Sequence, residues 1–487
     1  MTRARVAFAA LALAACTDRE VIGANGDGRW VELRLGVARQ DIDLLFVIDN
    51  SPSMAPKQAE LARRFPDLLA LLGSNAPNGQ PAHFHVGVVT TDLGAQSFNL
   101  GSQCRPGGDG ARLQALGAAA TPDCRPPTGG ARFIDYDQLT GSGNLPQGQD
   151  LATTLRCLAQ VGDAGCGFEQ PLEAAYLALS PPPVGPPENA GFLRDQALLA
   201  VMFLTDEDDC SAPPDGDLFD PNAVGTYGPL LSYRCTQFGL ECGTPPAPPP
   251  YGVSTPPLDP CVPVTDGKLY SVGRYLDFFR LPKSAGGVKP FPGDAFLFAV
   301  AGPPAPVMVL TANLKAPPGT YVPCAGPVDG VNCGTVLQHS CVSVSDSSFF
   351  ADPAVRLAAV VSATQAKLGA SICDTDYRPA MMDLAATVTS FQAGNGCIPA
   401  ALGDPTQPDC QVSDDVMNPD GTVASHPLPW CPDAHDAPPC WRIDPEGNCA
   451  AVLDAATNMR AHPQLVIDRA APAPADSVPH ARCVIAP

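Results

Sequence analysis

Apolar residues along the chain fall into two kinds of segment that alternate. Residues 42–48 (IDLLFVI) are almost continuously apolar, the pattern of a parallel strand covered on both faces. Residues 84–90 (FHVGVVT), 198–204 (LLAVMFL) and 296–301 (FLFAVA) repeat it. Between these runs the spacing is helical. In residues 57–72, Leu61, Phe65, Leu68, Leu69 and Leu72 share one face. Helical spacing also marks residues 151–158 and 172–179, separated by Gly162-Asp163-Ala164-Gly165-Cys166-Gly167, and residues 269–280, 353–368 and 379–391. Strands alternating with helices predict an α/β fold, a doubly wound and mostly parallel sheet with right-handed crossovers and helices on both faces.

Three stretches break the alternation, near residues 93–146, 208–263 and 303–350. Each is rich in Gly and Pro and carries cysteines, so each reads as a Cys-rich loop insertion into one domain spanning residues 41–392. Beyond Cys397 the apolar periodicity fades. Cys410, Cys431, Cys440, Cys449 and Cys483 then follow among many prolines, which predicts a small disulfide-rich C-terminal region over residues 393–487.

Composition changes the picture in two ways. Hydrophobic residues make up 45% of the 487-residue chain, enough for a sizeable core despite 56 Pro and 45 Gly. The formal charge of −21 excludes nucleic acid as a natural partner and favours a cation. The 19 Cys point to an oxidising compartment. Arg3 and Arg5 precede a short apolar run, residues 6–15, too short to span a bilayer and flanked like a secretory signal. Leu13-Ala14-Ala15-Cys16 resembles the lipobox of bacterial lipoproteins, which implies a signal peptide at 1–15, lipidation of Cys16 and a tether over residues 16–40. Without Cys16 an even 18 cysteines remain to pair. An ordinary secretory cleavage beside a cysteine is the alternative.

In an open α/β sheet, ligands bind beyond the carboxyl ends of the strands. Two such ends concentrate small oxygen donors: Asp49, Ser51 and Ser53 after the first run, and Thr205 and Asp206 after the third. One carboxylate and two hydroxyls on a tight turn suit a hard divalent cation. With these motifs in register, residues 41–392 resemble a von Willebrand factor type A domain. The longer strings FVIDNS, VGVVTTDLG, GCGFEQPLEAA and FLTDEDDC are similar to those of myxobacterial Cys-rich lipoproteins carrying that domain. The resemblance implies a metal-ion-dependent adhesion site for Mg²⁺, Mn²⁺ or Ca²⁺, held by Asp49, Ser51, Ser53 and Asp206. It further implies that an acidic side chain of a partner protein completes the metal shell.

The sequence departs from the family pattern twice. Pro52 replaces a usual Gly. The second metal loop has no Thr, leaving Asp163 or Glu169 as the candidate ligand there. If the metal loops converge as in the family, Cys166 and Cys210 are close enough to form a disulfide beside the site. Asp92, Glu207, Asp208 and Asp209 read as a solvated acidic rim. An enzyme is not expected, because no nucleophile elbow, zinc-protease motif or Walker loop occurs. His435 lies between Cys431 and Cys440, where disulfide pairing is favoured over zinc, and His83 and His85 read as surface residues at a strand start. The expected role is a lipid-anchored protein at the cell envelope, on the outer membrane, mediating metal-dependent protein–protein interaction or adhesion. A structural envelope lipoprotein with a degenerate or purely stabilising metal site is the first alternative, and a metal-dependent hydrolase the second.

Overall fold

The computed structural model describes residues 30–35, 41–74, 82–243, 255–316, 324, 331–364, 368–393, 396–398, 402, 404, 407–418, 422–431, 438–444, 463–470 and 477–485. The signal segment, Cys16, Cys449 and His435 lie outside the described residues. The first strand, β1 (Trp30–Arg34), belongs to a second sheet described below. The central sheet is built from β2 (Asp41–Ile48), β3 (His83–Thr90), β4 (Ile134–Asp137), β5 (Ser142–Gly143), β6 (Leu198–Leu204), β7 (Ala295–Ala301) and β8 (Leu368–Ser371).

Their order across the sheet is β8-β7-β6-β2-β3-β4-β5. The five strands from β8 to β3 are parallel, and β4 and β5 continue antiparallel. The sheet is therefore mixed but mostly parallel, and the continuous apolar runs β2, β6 and β7 are its buried centre. Register sets the site. Ile48 lies opposite both Thr90 and Leu204, so β2 and β6 end level and their following loops start side by side.

Alternate residues of β2 enter different cores. Leu44, Phe46 and Ile48 pack with α1 (Ala55–Ser74), α2 (Leu151–Ala159) and α6 (Arg378–Ala393). Leu45 and Val47 pack with α3 (Pro171–Leu179), α4 (Gly273–Arg280) and α5 (Val355–Ala363). The helix after β2 and the helix before β6 thus lie on opposite faces of the sheet. The helix expected over 353–368 stops at Ala363, where Thr364 bonds back to Val361 O through both N–H and hydroxyl. Leu368 instead opens the edge strand β8.

The insertions are stapled to this frame. Cys124–Cys157 ties the first to α2, and Cys242–Cys261 closes a hairpin in the second. The third holds the hairpin Val309–Asn313 with Cys333–Leu337. Every cysteine among the described residues is disulfide-bonded. Cys431 pairs with Cys440, so those two thiols are not zinc ligands.

The second sheet has the order β1-β11-β9-β10, with β9 (Cys410–Met417), β10 (Val423–Pro427) and β11 (Ser477–Val484). Here the structure corrects the sequence reading. Residues 30–34, assigned to the tether, form β1, because Val31, Leu33 and Leu35 alternate into the core at 1%, 4% and 6% exposure. Nor does the C-terminal region stand apart: Val412, Trp441, Leu465, Ala481 and Cys483 join the same apolar cluster as Leu44 and Phe46. No described helix is long and apolar enough to cross a membrane.

Candidate metal centre

The first loop begins where β2 ends. Asp49 N–H donates to Leu204 O (2.9 Å), which fixes the loop against β6. The fully buried Asp49 carboxylate accepts from Ser51 N–H (2.7 Å) and from Thr205 Oγ1 (2.9 Å), so it bridges the first and third loops. The Ser51 and Ser53 hydroxyls lie 3.2 Å apart, and α1 starts two residues later. Octahedral oxygen ligands at about 2.1 Å from a cation sit about 3 Å from one another, so this hydroxyl pair has metal-ligand spacing.

Lys57 is the unexpected member. It is fully buried, donates to Ser53 O (3.3 Å) and to Asp206 Oδ2, and stands 4.1 Å over the Phe350 ring. The other Asp206 oxygen, Oδ1, is buried and accepts no hydrogen bond. Sequence reading missed Lys57, although the signal was present: it lies four residues before Leu61 on the apolar stripe of α1, where a charge needs a partner.

In the second loop the structure separates the two candidates. Asp163 is exposed. Glu169 is 1% exposed, and its Oε1 accepts no hydrogen bond. Burial first, then the charges of Glu207 and Asp49, push the Glu169 carboxyl well above its usual range. Gln58 joins this loop to the first, donating to Asp49 O (2.8 Å) and Gly162 O (2.7 Å) and accepting from Gly162 N–H (3.2 Å).

The expected Cys166–Cys210 bridge does not form. Cys166 pairs with Cys104, and Cys210 with Cys235. The loops still converge, but hydrogen bonds do the joining: Cys210 N–H donates to Glu169 O (2.8 Å) and Ala212 N–H to Gln170 Oε1 (3.2 Å). Each cysteine is thereby free to anchor an insertion to its own metal loop.

The acidic run after Asp206 is not a solvated rim. Asp208 accepts from the N–H groups of Arg356 and Leu357 at the start of α5, and Asp209 pairs with the buried Arg356 guanidinium (3.1 Å). Asp92 is 5% exposed and accepts from Gly94 N–H. Burial pushes Asp92 and Asp208 each up to about 6. Glu207 is held well above its usual range by burial and then by Asp352, Asp206 and Asp49 around it, against the bond to Glu169.

Negative charge is in excess at the centre. Asp49, Glu169, Asp206, Glu207 and Asp352 act on one another, opposed by Lys57 and by His339, which bonds Asp352 at 2.7 Å. Burial, and then the charge of Asp206, push Asp49 up to about 7 despite its bonds from Ser51 and Thr205. Two buried carboxylate oxygens without a donor, two hydroxyls at ligand spacing and surplus buried carboxylate fit a hard divalent cation.

No family model matches the chain, and no curated protein matches it. Among solved structures it is similar to a von Willebrand factor type A protein from Catenulispora acidiphila, at 11% identity and a TM-score of 0.28. That likeness covers 94% of this chain and 66% of the other, just under two thirds of its length.

Proposed function

We propose that the protein is a metal-dependent interaction module on a doubly wound von Willebrand factor type A fold. It binds a partner protein at the cell envelope and is not an enzyme. Asp49, Ser51, Ser53 and Asp206 hold a divalent cation, with Glu169 taking the place of the missing second-loop Thr. The observation that carries this reading is the Ser51–Ser53 hydroxyl pair at 3.2 Å, next to the buried Asp49 carboxylate on which the charge of Asp206 acts, with Asp206 Oδ1 and Glu169 Oε1 both buried without a donor. When bound, the cation supplies an electrophilic position for an acidic side chain of the partner. Asp49 keeps the first and third loops in register through Thr205, Gln58 holds the second loop to them, and Lys57 limits the negative charge an incoming carboxylate meets.

The disulfide-rich fold supports export, and Leu13-Ala14-Ala15-Cys16 supports attachment through a lipid on Cys16, with the outer membrane as the proposed site. Loss of labelled fatty acid from a Cys16→Ser variant checks the anchor.

Lys57 favours a second reading, in which its ammonium serves as the permanent cation and the protein is an envelope scaffold. Thermal unfolding in EDTA, Mg²⁺, Mn²⁺ and Ca²⁺ separates the two. A cation at a hundred times its dissociation constant should add about 2.7 kcal/mol to the wild type and nothing to Asp49→Ala/Asp206→Ala. Equal midpoints in all four conditions select the scaffold.

A further inference from the structure

The opposite end of the sheet carries a cluster that the proposed function does not use. His83 and His85 lie two residues apart on β3, so their side chains share one face. Asp135 on β4 is the direct cross-strand partner of His85. One nitrogen of each imidazole and one Asp135 oxygen lie within 4.8 Å of one another. His83 and His85 lie opposite Asp41 and Asp43, and Ile48 ends β2, so at about 3.3 Å per residue this cluster is about 17–23 Å from the Asp49 loop. We propose that His83, His85 and Asp135 form a second metal site, separate from the first and selective for a borderline divalent ion of the zinc class.

The argument rests on what holds each ring. His85 Nδ1 lies 2.7 Å from the carbonyl of Phe192, which fixes the proton on Nδ1 and leaves the Nε2 lone pair free. That Nε2 is 3.8 Å from Asp135 Oδ1. His83 presents its Nε2 to the same Asp135 oxygen at 2.7 Å. Its Nδ1 sits between Arg194 Nη1 (3.0 Å) and Asp41 Oδ1 (3.2 Å). It accepts from Arg194 when the proton is on Nε2, and donates to Asp41 when the proton is on Nδ1. The second tautomer frees Nε2 toward Asp135, with a carboxylate backing the ring as metal-bound imidazoles require.

Charge and access agree with this assignment. Asp41, Asp43 and Asp135 surround the rings, opposed by Arg194, which pairs with Asp41 and Asp43, and by the Lys289 charge acting on Asp43. With Asp137, the cross-strand partner of His83, negative charge is left over for a cation. Tetrahedral ligands at about 2.0–2.1 Å from Zn²⁺ stand about 3.3 Å apart, close to the spacings already present. His83 and Asp135 are half-buried with side chains 36% and 45% exposed, so the ion has a route in and a fourth position open to water. Two imidazoles distinguish the site from the all-oxygen centre at Asp49, which suits harder ions. Binding here links the first insertion, through β4, to the central sheet.

The test uses the full chain, stripped with EDTA and dialysed, then titrated with Co²⁺ while the visible spectrum is recorded. The expected result is a ligand-field band that saturates with a single Co²⁺ and is displaced by Zn²⁺. Asp49→Ala/Asp206→Ala should show the same band, whatever becomes of the first site. His83→Ala and Asp135→Asn should each weaken Zn²⁺ binding by about tenfold or more, since losing even an outer-shell partner costs that much. Asp135→Asn preserves side-chain shape and decides the matter if His83→Ala fails to fold. A wild type without the band, or a band and Zn²⁺ affinity unchanged in Asp135→Asn, overturns the proposal.

Discussion

Lys57 and Glu169 decide how the centre behaves, and both act through burial rather than position in a motif. Lys57→Met leaves Asp206 buried with no counter-charge, so in EDTA it should cost about 3–5 kcal/mol in urea unfolding. Added Mg²⁺ should recover more stability in this variant than in the wild type, because the cation then meets the charge the ammonium had met. On the proposed ligand set, Glu169→Gln should weaken cation binding by calorimetry, whereas Asp163→Asn should leave it unchanged, the one carboxylate being buried and the other exposed. At this scale Asp49, Ser51, Ser53 and Asp206 were legible because their spacing is local to two loops. The choice between Asp163 and Glu169 was not. Six residues apart in one loop, they differ only in which way tertiary packing turns them.

Among the elements, disulfides and cross-strand charges take over from metal loops. Cys104–Cys166 closes 62 residues, so Cys104→Ser/Cys166→Ser should lose about 4 kcal/mol by the loop-entropy estimate, measured by urea unfolding without reductant. Spacing along the chain does not reveal such pairings, which depend on where each insertion folds back. The β1 strand was legible in principle, since Val31, Leu33 and Leu35 alternate, but its partner β11 lies at the far end of the chain.

That sheet carries a pH signature. Burial pulls His480 down, yet its ion pair with Asp415 (3.2 Å) and the charge of Glu32, 3.7 Å away, outweigh it and raise its pKa to about 9. A group raised in the folded state stabilises fully below its unfolded pKa, near 6.5, and that contribution fades as pH climbs through 9. Over this window the wild type should lose on the order of 3 kcal/mol more than His480→Gln, as followed by urea unfolding at each pH.

Over the whole molecule, the central strands were the most readable feature because parallel strands buried on both faces leave uninterrupted apolar runs. The antiparallel extension β4–β5 was hidden inside an insertion, where Ile134 alone of β4 is buried and no alternation is visible. The C-terminal region misled for a related reason: its few apolar residues complete the main core and so show little periodicity of their own. The resulting frame holds three loops at one end of the sheet, and the account depends on a cation binding there. Mn²⁺ titration of the full chain, with free Mn²⁺ followed by electron paramagnetic resonance, tests this most directly. Run on the His83→Ala/Asp135→Asn background to silence the second cluster, it should show a single saturable site that Mg²⁺ displaces and that Asp49→Ala abolishes. Mn²⁺ that stays free, or bound Mn²⁺ indifferent to Asp49→Ala, would contradict the account and leave Lys57 as the only cation the centre holds.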